Sequence, residues 1–353
     1  MLLLWLLAGP SSSSQAAGLD LPAQIVTGSR LIYEAGSATQ ADFNTAASAG
    51  VGLTRYEVVA VTPAKVLLRA GSFLNDGRGY SFGGGSFVVV DALAMKTGAS
   101  IWIDPTTLAG FTTDSKTTVT DFGWPAAGQE WKARSITHLS PDSASRQVFD
   151  SSSGLLLAQQ LASGQQRPGT TDPFMRQNTS SLAFVGQRAV ELPWAGGTDP
   201  AWTRTVRRLV YQGQQGLAGG YGPSISTPLR HRVEITERGE GWALGTLTVE
   251  TQGQPATQLP TGSGPGGLGA WWVDPAKMAA LPPGVIDRDP TLGTTLSFER
   301  SAGPQGPVGI VRESGSSHLL TWVYDLQDGA LVYASFEQTS FGMKTELSLS
   351  ARE

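Results

Sequence analysis

The sequence predicts a mainly β chain, α+β only through a few short helices, built as two tandem homologous antiparallel β-sheet domains, each a curved sheet or an unclosed barrel. Two observations carry this. Short segments rich in Val, Ile, Thr, Tyr, Phe and Trp are bounded by clusters of Gly, Pro, Asp and Ser, the pattern of strands and turns. Landmarks of one half also recur in the same order in the other. Leu21-Pro22 returns as Leu192-Pro193, Arg30-Leu31-Ile32-Tyr33 as Arg208-Leu209-Val210-Tyr211, Ile101-Trp102-Ile103-Asp104-Pro105 as Trp271-Trp272-Val273-Asp274-Pro275, and Val148-Phe149-Asp150 as Val323-Tyr324-Asp325. The separation between paired landmarks drifts by only a few positions, as loop insertions between fixed strands would leave it. The period exceeds the roughly 20–50 residues of solenoid and propeller units. Each copy is therefore read as a domain, residues 18–190 and 191–353, behind a leader at 1–17.

Along the first copy, 42–49 reads as a helix, and 56–61, 66–69, 87–90 and 101–103 as strands. In the second, 232–236, 244–250, 296–299, 319–325 and 331–336 read as strands. Asp104-Pro105 and Asp274-Pro275 each end an extended segment, because proline fixes φ and donates no hydrogen bond. The same pair can open a short helix, with Asp as N-cap and Pro at the first position. The run 155–161 does not declare its own period, but its counterpart 331–336 follows Asp328-Gly329, a tight-turn pair, so both read as hairpin strands. The segment 163–181 is polar and irregular, and 179–191 is the expected last strand of the first copy.

Composition narrows the function. The 353 residues carry a net charge of −4, with charged residues at only 15%, no concentrated basic surface for nucleic acid, and no cysteine for a disulfide, thiolate metal site or thiol nucleophile. The run Met1 to Ala8, followed by serines and small residues to Ala17, reads as a secretory signal peptide, too short for the ~20 residues of a membrane span. The expected location is periplasmic or secreted.

Three motifs invite chemistry. Gly79-Tyr80-Ser81-Phe82-Gly83 fits the nucleophile elbow of serine hydrolases, with His138, His231 and His318 as bases, but lacks the strand before and the helix after that such an elbow needs. Gly264-Pro265-Gly266-Gly267-Leu268-Gly269 fits a dinucleotide fingerprint, yet a strand follows where a helix is required, so it reads as a flexible loop. Asp287-Arg288-Asp289 reads as a solvated acidic turn, and Arg230 with Arg232 as one solvated strand face. No catalytic residue, metal site or cofactor is expected.

The unusual resource is ten tryptophans. Trp102, Trp242, Trp271, Trp272 and Trp322 are the candidate ligand-binding residues, since indoles line apolar grooves as readily as they fill cores. Trp271 and Trp272, adjacent on a strand, should face opposite sides of the sheet.

The leader, the meander of strands and the Trp-Ile-Asp-Pro and Trp-Val-Asp-Pro strand ends together resemble the exported carriers of the bacterial lipoprotein-sorting type. That resemblance implies a strongly curved antiparallel sheet, an unclosed barrel, whose concave face holds an apolar ligand; here the unit would be duplicated. The function expected is thus a non-catalytic binding or carrier protein for an apolar or amphiphilic ligand such as a lipid or lipoprotein. The alternatives are a structural or protein-interaction module of the cell envelope, a serine hydrolase using Ser81, and a glycan-binding protein with exposed Trp platforms.

Overall fold

The computed structural model describes residues 21–353 except 23, 42–47, 76, 78, 98–100, 141, 166–175, 218–224, 340 and 341. The signal-peptide expectation at 1–17 and most of the expected helix at 42–49 lie outside the described residues. Its last two positions, Ser48 and Ala49, open a strand instead.

Nine strands form the first sheet: β1 (Ser29–Ala41), β2 (Ser48–Val61), β3 (Lys65–Asn75), β4 (Tyr80–Asp91), β5 (Thr117–Ala126), β6 (Gln129–Ser140), β7 (Ser143–Asp150), β8 (Leu156–Gln165) and β9 (Arg176–Ala189). Ten form the second: β10 (Arg208–Leu217), β11 (Ile225–Gly239), β12 (Trp242–Thr251), β13 (Thr257–Ser263), β14 (Gly284–Asp289), β15 (Thr294–Gly303), β16 (Gly306–Ser314), β17 (His318–Asp325), β18 (Leu331–Gln338) and β19 (Met343–Arg352). Three short helices, α1 (Ala92–Thr97), α2 (Pro105–Gly110) and α3 (Pro275–Ala280), and a 3₁₀ turn at Ala201–Arg204 complete the described elements.

The orders are β4-β3-β2-β1-β9-β8-β7-β6-β5 and β13-β12-β11-β10-β19-β18-β17-β16-β15-β14, antiparallel throughout and not closed into barrels. In each sheet the last strand of the copy inserts beside the first. Bulges recur as well: β1 against β9 shifts register at Ile32/Tyr33, and β10 against β19 at Val210/Tyr211. A second shift falls at Val148/Phe149 in the first sheet and at Val323/Tyr324 in the second. Among the described residues strand β14 and helix α1 have no counterpart.

The repeated Trp-x-Asp-Pro segments do one structural job twice. Asp104 caps α2 by accepting from the Thr107 amide at 2.7 Å, and Asp274 caps α3 from the Ala276 and Lys277 amides, with proline at the first turn of each. The preceding residues are not strands. Each makes a single bridge, Trp102 to Leu155 and Trp272 to Ala330. A latch follows in both copies: the Ile103 amide donates to the Gly154 carbonyl, and the Val273 amide to the Gly329 carbonyl, each at 2.9 Å. Gly154 and Gly329 sit at φ 72° and 73°, and an added Cβ would stand 1.8 Å and 2.1 Å from the Ile103 and Val273 carbonyl oxygens. Only glycine fits there, for conformation and for space.

The two sheets share one core. Ile32, Leu53, Phe73 and Phe82 of the first sheet pack with Leu209, Trp271, Val311, Leu320 and Trp322 of the second half, whereas Leu31, Tyr33, Trp102, Leu108 and Phe149 form a separate core within the first. At the junction Arg55 donates from both terminal nitrogens to Glu313, at 3.0 and 3.1 Å, with both side chains buried. Glu57 lies 2.9 Å from Arg55 and 3.7 Å from Arg69. Asp287 faces Arg30 at 3.6 Å and also binds Arg188, which reaches Asp289 at 3.3 Å. Burial pulls the Arg55 guanidinium toward deprotonation, but Glu313 and Glu57 outweigh it and hold its pKa above the ordinary value. Burial likewise pushes Glu57 up, and Arg55, Arg69 and Arg30 more than reverse that.

Two readings of the sequence are corrected here. Asp287-Arg288-Asp289 is not a solvated turn: it lies in β14, and its two carboxylates hold arginines of the other sheet. The loop 264–269 is not a flexible excursion. It is largely buried against β2, the Gly266 amide donates to Val59 at 2.9 Å, and a Cβ at Gly266 would meet the Val58 oxygen at 2.2 Å.

Replacing Gly154 or Gly329 with Ala should cost about 1–3 kcal/mol or more through backbone strain and the blocked approach, read as a lower thermal midpoint. Gly128→Ala, at φ 75° with open space around it, should cost less. Arg55→Met alone should cost about 3–5 kcal/mol in denaturant unfolding by stranding the Glu313 carboxylate, and Arg55→Met with Glu313→Leu should recover much of that.

Candidate functional site

A groove of about 490 Å³ runs across the first sheet. It follows register. One row of cross-strand partners runs Thr137, Arg146, Gln160, Ser181, Gly36 and Val51 over β6, β7, β8, β9, β1 and β2, and every member lines the groove. The adjoining row, Ser145, Leu161, Ser180, Ser37 and Gly50, lines it too, as do Ala144, Ala162 and Thr179. Facing partners in antiparallel strands bring their Cβ atoms within about 5 Å, so the short side chains at Gly36, Ala144, Ala162, Thr179 and Ser181 leave a trough where longer ones would fill it. The groove is made by what these residues lack.

The second sheet shows the contrast at matching registers. Its row reads Arg312, Thr321, Ser335, Glu346 and Gln214. Glu346 stands where the first sheet has Ser181, and Gln214 where it has Gly36. Tyr333 donates to Glu346 at 2.7 Å and Lys344 pairs with it at 2.9 Å, so long polar side chains occupy this surface. Those contacts hold the Glu346 carboxyl below the usual range, the Tyr333 hydrogen bond first and the Lys344 one next.

Among the described residues Arg146 is the only charged one lining the groove. Its guanidinium stands 5.8 Å from the ring centres of both Phe122 and Trp124, and its Nε donates to Ser135 Oγ at 3.2 Å. Val51 and Leu161 are the exposed apolar members, with Leu139 exposed one register further along.

None of the five tryptophans singled out from sequence lines this groove. Trp102 is fully buried in the first core, and Trp271, Trp272 and Trp322 lie in the shared core at 6%, 8% and 6% exposure. Trp242 is half-buried beside Val59, Leu67 and Leu244. The expectation that Trp271 and Trp272 face opposite sides fails, because Trp271 lies on a bend and Trp272 makes a single bridge, so strand alternation does not govern them; their rings sit 6.4 Å apart in one core. Trp272 also borders a cavity of about 30 Å³, and its Nε1 donates to Asp199 at 2.8 Å. Trp322 lies under the Arg69 guanidinium, 5.6 Å from the ring centre, at the junction of the sheets.

Ser81 is part of that junction. It lies within strand β4, fully buried, and accepts a hydrogen bond from Gln338 Nε2 at 3.0 Å. His318 uses its Nδ1 to accept from the Phe82 amide at 3.1 Å, and its ring packs 5.8 Å from Phe73. The strand–turn–helix geometry that would expose a nucleophilic serine is replaced by continuous strand. Among the described residues no group of three or more ligating side chains could hold a metal, and no helix is long and apolar enough to cross a membrane.

No known protein family matches the chain, and no curated protein does either. Among solved structures, the chain is similar to a protein of unknown function from the DUF3598 family of Nostoc punctiforme, at 8% identity over 91% of this chain and 95% of that one, with a TM-score of 0.20. It is similar also to the MucA/MucB complex of Pseudomonas aeruginosa, at 13% identity over 91% of this chain and 87% of that one, TM-score 0.22, and to MucB by itself, TM-score 0.21. Likenesses this slight carry no argument about site, ligand or partner.

Burial holds the His318 pKa below its ordinary value, with Arg55 adding to the effect and Glu313 opposing it, and burial pushes His231 down to about 4. A base whose pKa is lower folded than unfolded contributes stability that is complete above about pH 6.5 and is lost as the pH falls. Denaturant midpoints should therefore drop between about pH 7 and pH 5, and His318→Asn should remove part of that slope.

Proposed function

We propose that the protein is an exported, non-catalytic binding or carrier protein that holds an apolar or amphiphilic ligand in the groove of its first sheet. The supporting observation is the groove itself: about 490 Å³, within the range of roughly 300–1,000 Å³ common to small-molecule sites, on an antiparallel sheet and lined by small side chains with a few placed polar groups. The N-terminal apolar run, read as a leader, supports export to the periplasm or beyond the cell. The two repeats, 18–190 and 191–353, divide the work on this reading. The second gives the first a buried platform, and the first carries the ligand. The five tryptophans serve packing, with Trp272 alone bordering a cavity.

The exposed Val51, Leu139 and Leu161 favour one second reading, an interaction module of the cell envelope that covers these side chains with a protein partner. Native mass spectrometry with lipid extraction, on protein purified from its own envelope fraction, separates the two. The carrier reading expects a co-purified small molecule, and Ala162→Trp, which fills the groove floor, should reduce its occupancy by about tenfold or more while leaving the melting midpoint nearly unchanged. Protein that is ligand-free under gentle conditions counts against the carrier.

A further inference from the structure

We infer that Arg146 anchors the anionic end of an amphiphile, a long-chain carboxylate or alkyl phosphate, whose apolar part lies along the groove; the inference rests on the groove being the binding site. Charge is the first argument. Arg30, Arg55, Arg188 and Arg312 each face a carboxylate within 4 Å, whereas Arg146 makes no ion pair among the described residues and is the single charge in the groove lining.

Preorganisation is the second. Two aromatic rings and the Ser135 hydroxyl hold the guanidinium in place through Nε and its faces, which leaves the terminal nitrogens to donate. A guanidinium presents paired N–H groups that match two oxygens of a carboxylate or phosphate. Its register partners are Thr137 and Gln160, a hydroxyl and an amide positioned beside the same oxygens.

The rest of the lining fits a tail rather than a second charge. Away from Arg146 the groove offers Ala144, Ala162 and Val51 on the face that Arg146 shares, and among the described residues of the lining no carboxylate repels an anion and no other cation binds one. A free inorganic anion would use the guanidinium and leave most of the groove empty.

The test uses the full chain and fluorescence titration with a dansyl-labelled long-chain carboxylate, its methyl ester, and inorganic phosphate as competitor. The expected result is that wild type binds the carboxylate, Arg146→Gln weakens it by about tenfold or more, and Arg146→Lys, which keeps the charge but loses the paired N–H groups and the ring stacking, recovers only part of that loss. Binding of the ester should be unchanged in both variants, which also shows that they are folded. If acid and ester bind wild type alike and Arg146→Gln alters neither, the anchor is overturned while the groove stands. If phosphate displaces the carboxylate readily and affinity does not depend on chain length, the amphiphile is overturned in favour of a small anion. If neither labelled probe binds wild type, the groove reading fails and the anchor with it.

Discussion

The contact on which the molecule depends is the buried pairing of Arg55 with Glu313 across the two sheets. A guanidinium and a carboxylate without solvent are stable only if each meets the other in good geometry and their neighbours balance the remaining charge. Arg30, Arg69 and Arg188 stand beside Glu57, Asp287 and Asp289 in the same junction, so the balance is kept. Such a cluster adds little net stability compared with apolar packing of the same volume. Its effect is selective: any register or docking angle that separates the partners leaves charges buried and alone. The glycine loop at 264–269 permits this fit, because backbone of the second half approaches β2 more closely than side chains there would allow.

Docking makes the two copies unequal although their chains follow one plan. The second copy's core includes Ile32, Leu53, Phe73 and Phe82 of the first, while the first copy's core is its own. The second unit is thus completed from outside. In the first, the stretch of sheet beyond the junction carries small side chains and remains open. In the second, the matching registers carry Glu346 and Gln214, tied to Tyr333, Lys344 and neighbouring strands. One strand order thus appears in a supporting half and in a half with room in it.

Much of this architecture is legible in the sequence, because it is written in local chemistry. The Asp-Pro pairs announce a stop and a cap, Asp328-Gly329 announces a turn, and recurring landmarks announce two matching sheets; the helices α2 and α3 follow from them, whereas the latches at Gly154 and Gly329 and the shared bulges appear only in the structure. What escaped has no local signature. Asp287 and Asp289 find their arginines on strands far away in the chain, so the pattern Asp-Arg-Asp reads as solvated. Trp271 and Trp272 mislead because strand alternation applies only within a paired strand, and a lone bridge does not impose it. The groove escapes for a different reason. It consists of Gly36, Ala144, Ala162, Ser180 and Ser181, residues common in any β chain, and only their register brings them together. A search for binding residues guided by large aromatic side chains finds the core, since the same surface that would attract a ligand attracts the rest of the protein first.

The placement of Arg146 follows from that competition. A tryptophan in an open trough would lose little by folding inward, and the trough would close. A guanidinium cannot follow it, because burial without a carboxylate is costly, so it stays at the surface of the groove and is steadied by ring faces that ask for no counter-charge. Phe122 and Trp124 hold the cation from one side, and short neighbours leave the other side open. A sheet that keeps a groove must forgo the packing that would fill it, and here that loss falls on the half whose partner sheet supplies a large shared core. The division between a supporting copy and an open one is therefore a consequence of stability: the trough is tolerated where the junction around Arg55 and Glu313 already holds the chain in one register.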